Sequence, residues 1–338
     1  MVPTTPFDIK TTPVAPGHPP RLSSSTSNTY PNLHDQHVAA FEGTFAPDAR
    51  PPFDPVSKPW YRDKDYFCDG WADKSVWKSA VRPLSSLLGV VAHTKQLVEC
   101  VGTAGMNLLT GQIGATLVGY GTPQIGAYIG LSNLLLLSAF IYATAAPSGG
   151  HLNPMITFCT MLSGICPVPR AILYICAQTL GSAVAGGVLT GIWGRARSIA
   201  LHGGGCFFTP SADITTGQVL LNEIASSFVL LFLAFGLGLD PRQAALFGPR
   251  LGPLLVGVAL GLTTFASSGM IPGYTGANMN PGRCLALNLA GRDFSGQWIW
   301  WTGPTIAAIL LAAVYNVVPP NHASPAEKGS AMSQPSSP

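Results

Sequence analysis

The fold is decided by two stretches that each end in Asn-Pro: SGGHLNP at residues 148–154 and YTGANMNP at residues 274–281. Each stretch follows a long apolar run and opens a second apolar segment of about 11 residues, which as a helix covers about half a bilayer. A single Asn-Pro is typical of a turn. Two copies in matched contexts instead indicate a duplicated membrane unit whose broken helices meet near the midplane, a geometry that forms sites for small solutes.

An acidic residue precedes each motif at a similar distance. Glu99 lies 54 residues before Asn153, and Glu223 lies 57 residues before Asn280. Both acids lie within apolar sequence, and an intramembrane acid is by default a candidate for function, such as proton coupling. The matched spacing supports the duplication.

The composition is that of a membrane protein. Only 10% of the 338 residues are charged and 47% are apolar, whereas a soluble domain carries about 25% charge. Ten of the 18 Lys and Arg lie before residue 96. The net charge of +3 therefore reflects one side of a membrane, and no nucleic-acid partner is expected.

The apolar segments predict an all-α membrane protein with six transmembrane helices and two re-entrant half-helices, arranged as an inverted repeat. A span needs about 20 apolar residues. The predicted spans are residues 96–118, 126–146, 169–193, 217–238, 251–271 and 297–317, and the half-helices are residues 153–163 and 280–290.

The flanking segments differ from the spans. Residues 1–56 and 318–338 are polar or rich in Pro and Ser, which predicts disordered tails. Residues 57–95 include a stretch of interleaved aromatic and basic side chains, which favours a juxtamembrane segment over nucleic-acid stacking. No secretory signal is predicted. The distribution of Lys and Arg predicts cytoplasmic N- and C-termini, and the plasma membrane is the expected location.

The sequence offers little for metal or covalent chemistry. Its seven cysteines are scattered without a Cys-x-x-Cys, so neither a zinc site nor a disulfide framework is expected. His151 has no partner at ligand spacing, which favours a packed or lane-edge histidine over a metal ligand. The spans contain no pattern typical of a nucleophile and its base. We therefore expect no metal, no cofactor and no enzyme activity.

The Asn-Pro motifs carry a specific chemistry. A helix that begins at the midplane points its unsatisfied N–H groups and positive dipole end there. Pro154 and Pro281 suit the first helical position, which needs no N–H. Asn153 and Asn280 would cap these ends and project their amides into a lane, while the preceding stretches present carbonyls. A neutral hydroxylic solute could exchange water hydrogen bonds for these groups, and two facing positive helix ends would oppose cations.

This constellation resembles the major intrinsic protein family, the aquaporins and aquaglyceroporins, over residues 96–317. The supporting elements are the two motifs, TGANMNPGR at 275–283, WTGP at 301–304, and Arg170, Tyr174 and Gln178. The resemblance implies a passive channel for small uncharged solutes in a lipid bilayer, assembled as a homotetramer. The alternative is an ion- or proton-coupled secondary transporter, which can also use broken helices.

Two departures from the family pattern concern the residue after Asn-Pro. The usual Asn-Pro-Ala is Asn-Pro-Met at 153–155 and Asn-Pro-Gly at 280–282. Because this residue chiefly packs, Met155 and Gly282 leave the capping logic intact but can change the lane width. Cys284 directly after Arg283, the substituted first motif and the long N-terminal tail most resemble the X intrinsic protein subgroup of fungi and plants.

The resemblance also implies roles for individual residues. Gap-free counting from the motifs places the narrowest ring at Asn133, Ser268, Ala277 and Arg283. This ring lacks a His or an aromatic residue, which predicts passage of glycerol, some water and hydrogen peroxide.

Two further residues have roles by the same resemblance. Glu99 and Glu223 become supports that accept hydrogen bonds from the re-entrant loops, which is favoured over proton coupling. Separately, Cys284 lies one residue from Arg283 and is therefore a candidate for thiol reagents near the ring, with Cys206 in the outer loop as a candidate partner.

Overall fold

A computed structural model describes residues 94–211, 213–240, 244–269 and 271–317. The predicted tails at 1–56 and 318–338, and all but the last two residues of the predicted juxtamembrane segment, lie outside these ranges. Within them the chain is helical, and its extended pairing is limited to one bridge between Phe208 and Tyr274.

The first half of the chain contains four helices: α1 (Thr94–Tyr120), α2 (Ile125–Ser148), α3 (Pro154–Leu162) and α4 (Val168–Trp193). The short helix α5 (Arg195–Ala200) and a 3-10 turn (His202–Gly204) connect the halves. The second half contains α6 (Thr216–Ala234), which continues as a π-turn (Phe235–Leu239), and then α7 (Ala244–Ser267), α8 (Pro281–Gly291) and α9 (Gln297–Val317). The predicted architecture of six long helices and two half-helices is confirmed.

The long helices suit a membrane. Five of the described helices are long and apolar enough to cross one: α2, α4, α6 with its π-turn, α7 from Arg250, and α9. The first helix is the longest at 27 residues, but it is more polar because Glu99, Thr103 and Asn107 are buried along it. These polar residues face the protein interior, where partners can satisfy them.

The packing repeats between the two halves. In the first half α1 packs on α4, and in the second half α6 packs on α9. The half-helix α3 lies against α9, while α8 lies against α4, so each half-helix contacts a long helix of the opposite half. The helices α2 and α7 pack against each other. Exchanging the halves preserves these pairs, as a duplicated unit requires.

Glycines allow α2 and α7 to approach closely. A Cβ added at Gly261 would lie 2.9 Å from the carbonyl oxygen of Gly130, and one at Gly257 would overlap Ser138. Lipid provides no hydrophobic drive for helix association, so close van der Waals contact between small residues has to replace it. The contact fixes the spacing of two helices that line the central cavity.

The helix boundaries differ from prediction mainly around the loops. The fifth span was predicted at 251–271, but α7 ends at Ser267, and Gly269 then adopts a positive φ of 75°. The short helix α5 and the 3-10 turn were not predicted. Segments of six and three residues are too short to leave a periodic apolar signal.

Candidate solute lane

The two Asn-Pro motifs form the caps of the half-helices. Asn153 accepts a hydrogen bond from the Met155 N–H at 2.9 Å, and Asn280 accepts one from the Arg283 N–H at 3.1 Å. Pro154 and Pro281 occupy the first helical position. Each asparagine thus satisfies one of the free N–H groups at its helix end, as an N-cap does.

The two caps are also joined across the halves. The Asn153 amide donates to the Met279 carbonyl at 2.9 Å, and the Asn280 amide donates to the Leu152 carbonyl at 3.3 Å. Each amide group has two N–H donors, so one remains after the cross-link. Both asparagines line the same cavity, and the two helix N-termini therefore meet at one point of it.

The buried acids hold the loops that precede the caps. Glu99 accepts hydrogen bonds from the N–H groups of His151 and Leu152 at 3.0 and 2.8 Å. Glu223 accepts from the N–H groups of Asn278 and Met279 at 2.6 and 3.1 Å. Both acids are fully buried, and each is thereby committed to the backbone of its own loop.

These contacts hold two residues in an unusual conformation. Leu152 and Met279, which directly precede the asparagines, have positive φ values of 51° and 56°. Such a backbone is costly for a residue with a side chain and persists only when its surroundings fix it. The carboxylates supply that constraint, since each binds the N–H of the strained residue.

Additional side chains secure the first loop. Gln178 donates to Glu99 at 2.8 Å and to Thr157 at 2.9 Å, and Tyr174 donates to the Ser148 carbonyl at 2.8 Å. His151 pairs with Thr157 at 3.1 Å and lies edge-on to Tyr174. Among the described residues, no three His, Cys, Asp or Glu side chains lie together as a metal site would require.

The third residue of each motif packs away from the cavity. Met155 is 2% exposed and belongs to the apolar core. A Cβ added at Gly282 would lie 2.8 Å from Ser182 Oγ and 3.3 Å from the Pro154 ring. Since Ser182 occupies the space in which an alanine methyl would lie, the glycine does not by itself widen the lane.

The cavity, called the lane below, has one mainly apolar wall and one polar edge. Long apolar side chains of α2, α6 and α7 form the wall: Leu136, Leu137, Ile141, Leu230, Val256 and Leu260. Asn133, Asn153, Asn280 and Arg283 contribute polar groups along the lane. Such a lane can contact the hydroxyl groups and the hydrocarbon side of a solute at once.

The structure distributes the four predicted ring residues unevenly. Asn133 and Arg283 line the lane, whereas Ser268 and Ala277 are not among its lining residues. Asn133 donates to Thr264 at 3.2 Å, so Thr264 lies level with it, although Thr264 is likewise not among the lining residues. The Ser268 carbonyl instead lies against Gly126, which is about two turns before Asn133 on α2.

The loop that joins the two halves is bonded covalently to the second half-helix, α8. Cys206 and Cys284 form a disulfide with their Cα atoms 5.3 Å apart. Both residues are fully buried. The expectation that Cys284 offers a thiol to reagents is therefore wrong for this disulfide-bonded state. The sequence showed the pair of cysteines, but only their proximity in the fold reveals the bond.

Hydrogen bonds extend this connection. The Asn288 amide donates to the Cys206 carbonyl at 3.0 Å, and the Thr209 N–H donates to the Gly273 carbonyl at 2.9 Å. Thr275 donates to the Phe207 carbonyl at 3.1 Å. The loop at 206–209 is thus attached both to α8 and to the segment that precedes Asn280, and it restrains the neighbourhood of Arg283.

The comparisons with known proteins agree on one protein family. The family model described as major intrinsic protein matches residues 90–315. The probable aquaporin PIP-type 7a of Pisum sativum is 36% identical over 188 residues, which are 54% of this chain and 63% of that relative, or less than two thirds of its length. The probable aquaporin TIP-type alpha of Phaseolus vulgaris is 30% identical over 203 residues, which are 58% of this chain and 74% of that relative.

Solved structures give the same fold. The X-ray structure of the aquaglyceroporin from Plasmodium falciparum matches with a TM-score of 0.55 and 19% sequence identity. The match covers 67% of this chain and 96% of that chain. At this identity the comparison supports the fold, while the chemistry of the lane has to be argued from the residues present.

Proposed function

The chain belongs to the major intrinsic protein family, whose members are channels and not enzymes. From this premise we propose that it conducts water and small uncharged solutes passively across a membrane. The observation that carries the proposal is the meeting of two helix N-termini in one lane. Asn153 and Asn280 cap these ends and line the lane together.

The electrostatics of this meeting point favour neutral solutes. The two facing helix ends carry partial positive charge, and Arg283 adds a full positive charge along the same lane. A cation would be repelled there, whereas water or a hydroxyl group can accept hydrogen bonds from the asparagine amides. Glu99 and Glu223 are engaged by backbone N–H groups, which supports a passive channel over a proton-coupled transporter.

We further propose glycerol and hydrogen peroxide as solutes beside water. Asn133 and Arg283, which line the lane, would form the polar part of the narrow ring together with Thr264, the hydrogen-bond partner of Asn133, with Ala277 behind it. We assign Thr264 to the ring in place of Ser268, because it lies level with Asn133. None of these side chains is an aromatic or a histidine, so the ring leaves room for a three-carbon polyol.

Several features of the assembly are also proposals. The small exposed residues of the long helices, such as Gly187 and Gly191 with open space beside them, are compatible with a homotetramer. The distribution of basic residues supports cytoplasmic termini, and we propose the plasma membrane as the location. The Asn-Pro-Met motif, Cys284 after Arg283 and the long N-terminal segment support the X intrinsic protein subgroup.

The test is flux through purified protein in proteoliposomes. Light scattering after an osmotic step with an impermeant solute gives water permeability, and gradients of glycerol, urea and sorbitol give solute permeability. We expect water and glycerol to enter faster than in protein-free vesicles at equal rates with and without a proton gradient. Accumulation of a solute against its gradient, abolished by an uncoupler, would contradict the channel.

The ring assignment has its own test. Thr264→Phe should reduce glycerol permeability far more than water permeability, because a larger ring side chain excludes the larger solute first. Ser268→Phe serves as the matched control one turn away and should leave the glycerol-to-water ratio unchanged. If the Ser268 variant lowers this ratio and the Thr264 variant does not, the gap-free ring is correct and our reassignment fails.

A further inference from the structure

The lane contains one readily oxidised side chain. Of the four methionines within the described residues, Met106, Met155, Met161 and Met279, only Met106 is among the residues that line the lane. It also carries the only sulfur atom among the described lining residues. Peroxides oxidise a thioether to a sulfoxide, so a peroxide that travels this lane passes a group with which it reacts.

The contacts of α1 place Met106 at the depth of the two caps. Four residues before it, a Cβ added at Gly102 would lie 2.7 Å from Leu152 Cδ2, in the loop that ends in the first cap. One residue after it, the Asn107 amide donates to Ser182 at 3.0 Å. Ser182 in turn lies against the first turn of α8, directly after the second cap. Met106 is therefore level with the meeting point of the half-helices.

Two other methionines of the same core are shielded from the lane. Met106, Met155 and Met279 belong to one apolar cluster, but Met155 is 2% exposed, Met279 is fully buried, and neither lines the lane. The three thioethers are thus chemically alike and differ in their access to the lane. Met155 and Met279 therefore serve as internal references for the reactivity of Met106.

We propose that Met106 is a site of oxidation by peroxide that permeates the lane, and that its sulfoxide lowers the flux. The inference rests on the proposed conduction of hydrogen peroxide. In the reaction the O–O bond of the peroxide breaks, one oxygen atom binds to the Met106 sulfur, and the other leaves as water with both hydrogen atoms. The sulfur loses two electrons and the peroxide gains them, so no further reactant is needed.

The sulfoxide changes the lane at the position of the two asparagine amides. Oxidation converts the apolar side chain into a polar one with an oxygen atom that accepts hydrogen bonds. Asn153 and Asn280 each have one N–H left for a solute after their cross-link, and the sulfoxide oxygen competes for these donors. The added oxygen also occupies space in the lane. Both effects reduce the passage of water, glycerol and peroxide, so the channel limits its own exposure to peroxide.

The first measurement is chemical and needs no variant. Proteoliposomes are treated with hydrogen peroxide, and mass spectrometry of the digested protein follows the addition of one oxygen atom to each methionine. We expect Met106 to be oxidised at least about tenfold faster than Met155 and Met279, the factor that about 1.4 kcal/mol for the desolvation of peroxide in the core produces. In the unfolded protein the three rates should be equal. A methionine sulfoxide reductase should restore Met106 only after unfolding, because an enzyme cannot enter the lane.

The second measurement is flux, and each variant is compared with itself before and after peroxide treatment. The wild type should lose water and glycerol flux in proportion to the fraction of Met106 sulfoxide. Met106→Leu keeps an apolar side chain of similar size without sulfur and should retain its own initial flux. Met155→Leu is the matched control, since Met155 does not line the lane, and it should lose flux as the wild type does.

Three results would overturn the inference. These are equal oxidation rates of Met106 and the two reference methionines in the folded protein, unchanged flux when Met106 is fully oxidised, or the same loss of flux in Met106→Leu as in the wild type. If wild-type vesicles conduct water and glycerol but exclude peroxide from a peroxide-sensitive dye inside them, peroxide is not a solute and the inference falls with it. A wild-type protein that conducts neither water nor glycerol would instead refute the proposed channel function.

Discussion

Replacing Gly282 by alanine restores the usual Asn-Pro-Ala sequence, and we expect it to destabilise this protein. The new methyl group would lie 2.8 Å from Ser182 Oγ, so the hydroxyl would have to move. That hydroxyl donates to the Gln178 carbonyl at 2.7 Å and accepts from the Asn107 amide at 3.0 Å. Glycine at this position is thus matched to a serine on the facing helix.

The magnitude follows from the two hydrogen bonds. Each contributes about 1 kcal/mol net, and overpacking a tight interface costs about 1–3 kcal/mol. We therefore expect Gly282→Ala to lower the free energy of unfolding by about 2 kcal/mol. For a folded domain of about 200 residues that corresponds to a decrease of about 4–8 °C in apparent Tm. Water flux should also decrease, because α8 would be pushed away from α4 and Asn280 would move with it.

A double-mutant cycle isolates the contact. Ser182→Ala alone should cost about 1–3 kcal/mol, because it leaves the Asn107 amide unpaired. In the double variant the methyl group introduced by Gly282→Ala finds the space that the hydroxyl has left, so the second substitution should add little. The expected coupling is about 2 kcal/mol, which lies in the range of directly contacting residues.

The assay is thermal inactivation of the detergent-solubilised protein, followed by size-exclusion chromatography at each temperature. Gly119→Ala on α1 is the control, because an added Cβ there meets nothing within 4 Å and alanine favours a helix. This variant should be as stable as the wild type or slightly more stable. If Gly282→Ala keeps wild-type stability, or if the two losses simply add, the proposed match between glycine and serine is refuted.

Three further predictions concern the loops and the tail. Glu223→Ala leaves two buried N–H groups unpaired, which costs about 1–3 kcal/mol of stability for each group. The variant should therefore reduce both the yield of folded protein and the flux per channel, and Glu223→Gln should recover part of each. Equal effects of both variants would contradict the support role. A mercurial should block flux through Cys284 only after the disulfide to Cys206 has been reduced. Cys284→Ser should remove this reduction-dependent block. If the block persists in the Ser variant, the sensitive thiol is not Cys284. Deletion of residues 1–56 should leave flux per assembled channel unchanged, and a large change would identify the segment as a gate.

The sequence by itself determined the elements of the fold, because the responsible interactions are local or imposed by the solvent. A lipid bilayer requires long apolar helices, and these are visible as composition. An Asn-Pro that opens a short apolar segment predicts a capped half-helix, since proline needs no N–H partner at its start. The repeated spacing of Glu99 and Glu223 before these motifs further indicated the duplication.

The contacts between elements were decided only by the tertiary structure. Asn153 and the Met279 carbonyl are 126 residues apart in the chain, and nothing in either segment specifies that they meet. The proposed ring illustrates the same limit, because α7 ends at Ser267 and gap-free counting from Asn280 back to α7 has to cross the irregular loop between them. One turn of an α-helix is about 5.4 Å, which is enough to replace Thr264 with Ser268.

The disulfide and the glycine–serine match belong to the same class. Cys206 and Cys284 are 78 residues apart, and their bond requires the loop between the two halves to lie on α8. Gly282 has its meaning only beside Ser182 of another helix. Helix formation is governed by neighbours along the chain, whereas the lane is formed by side chains that only packing brings together.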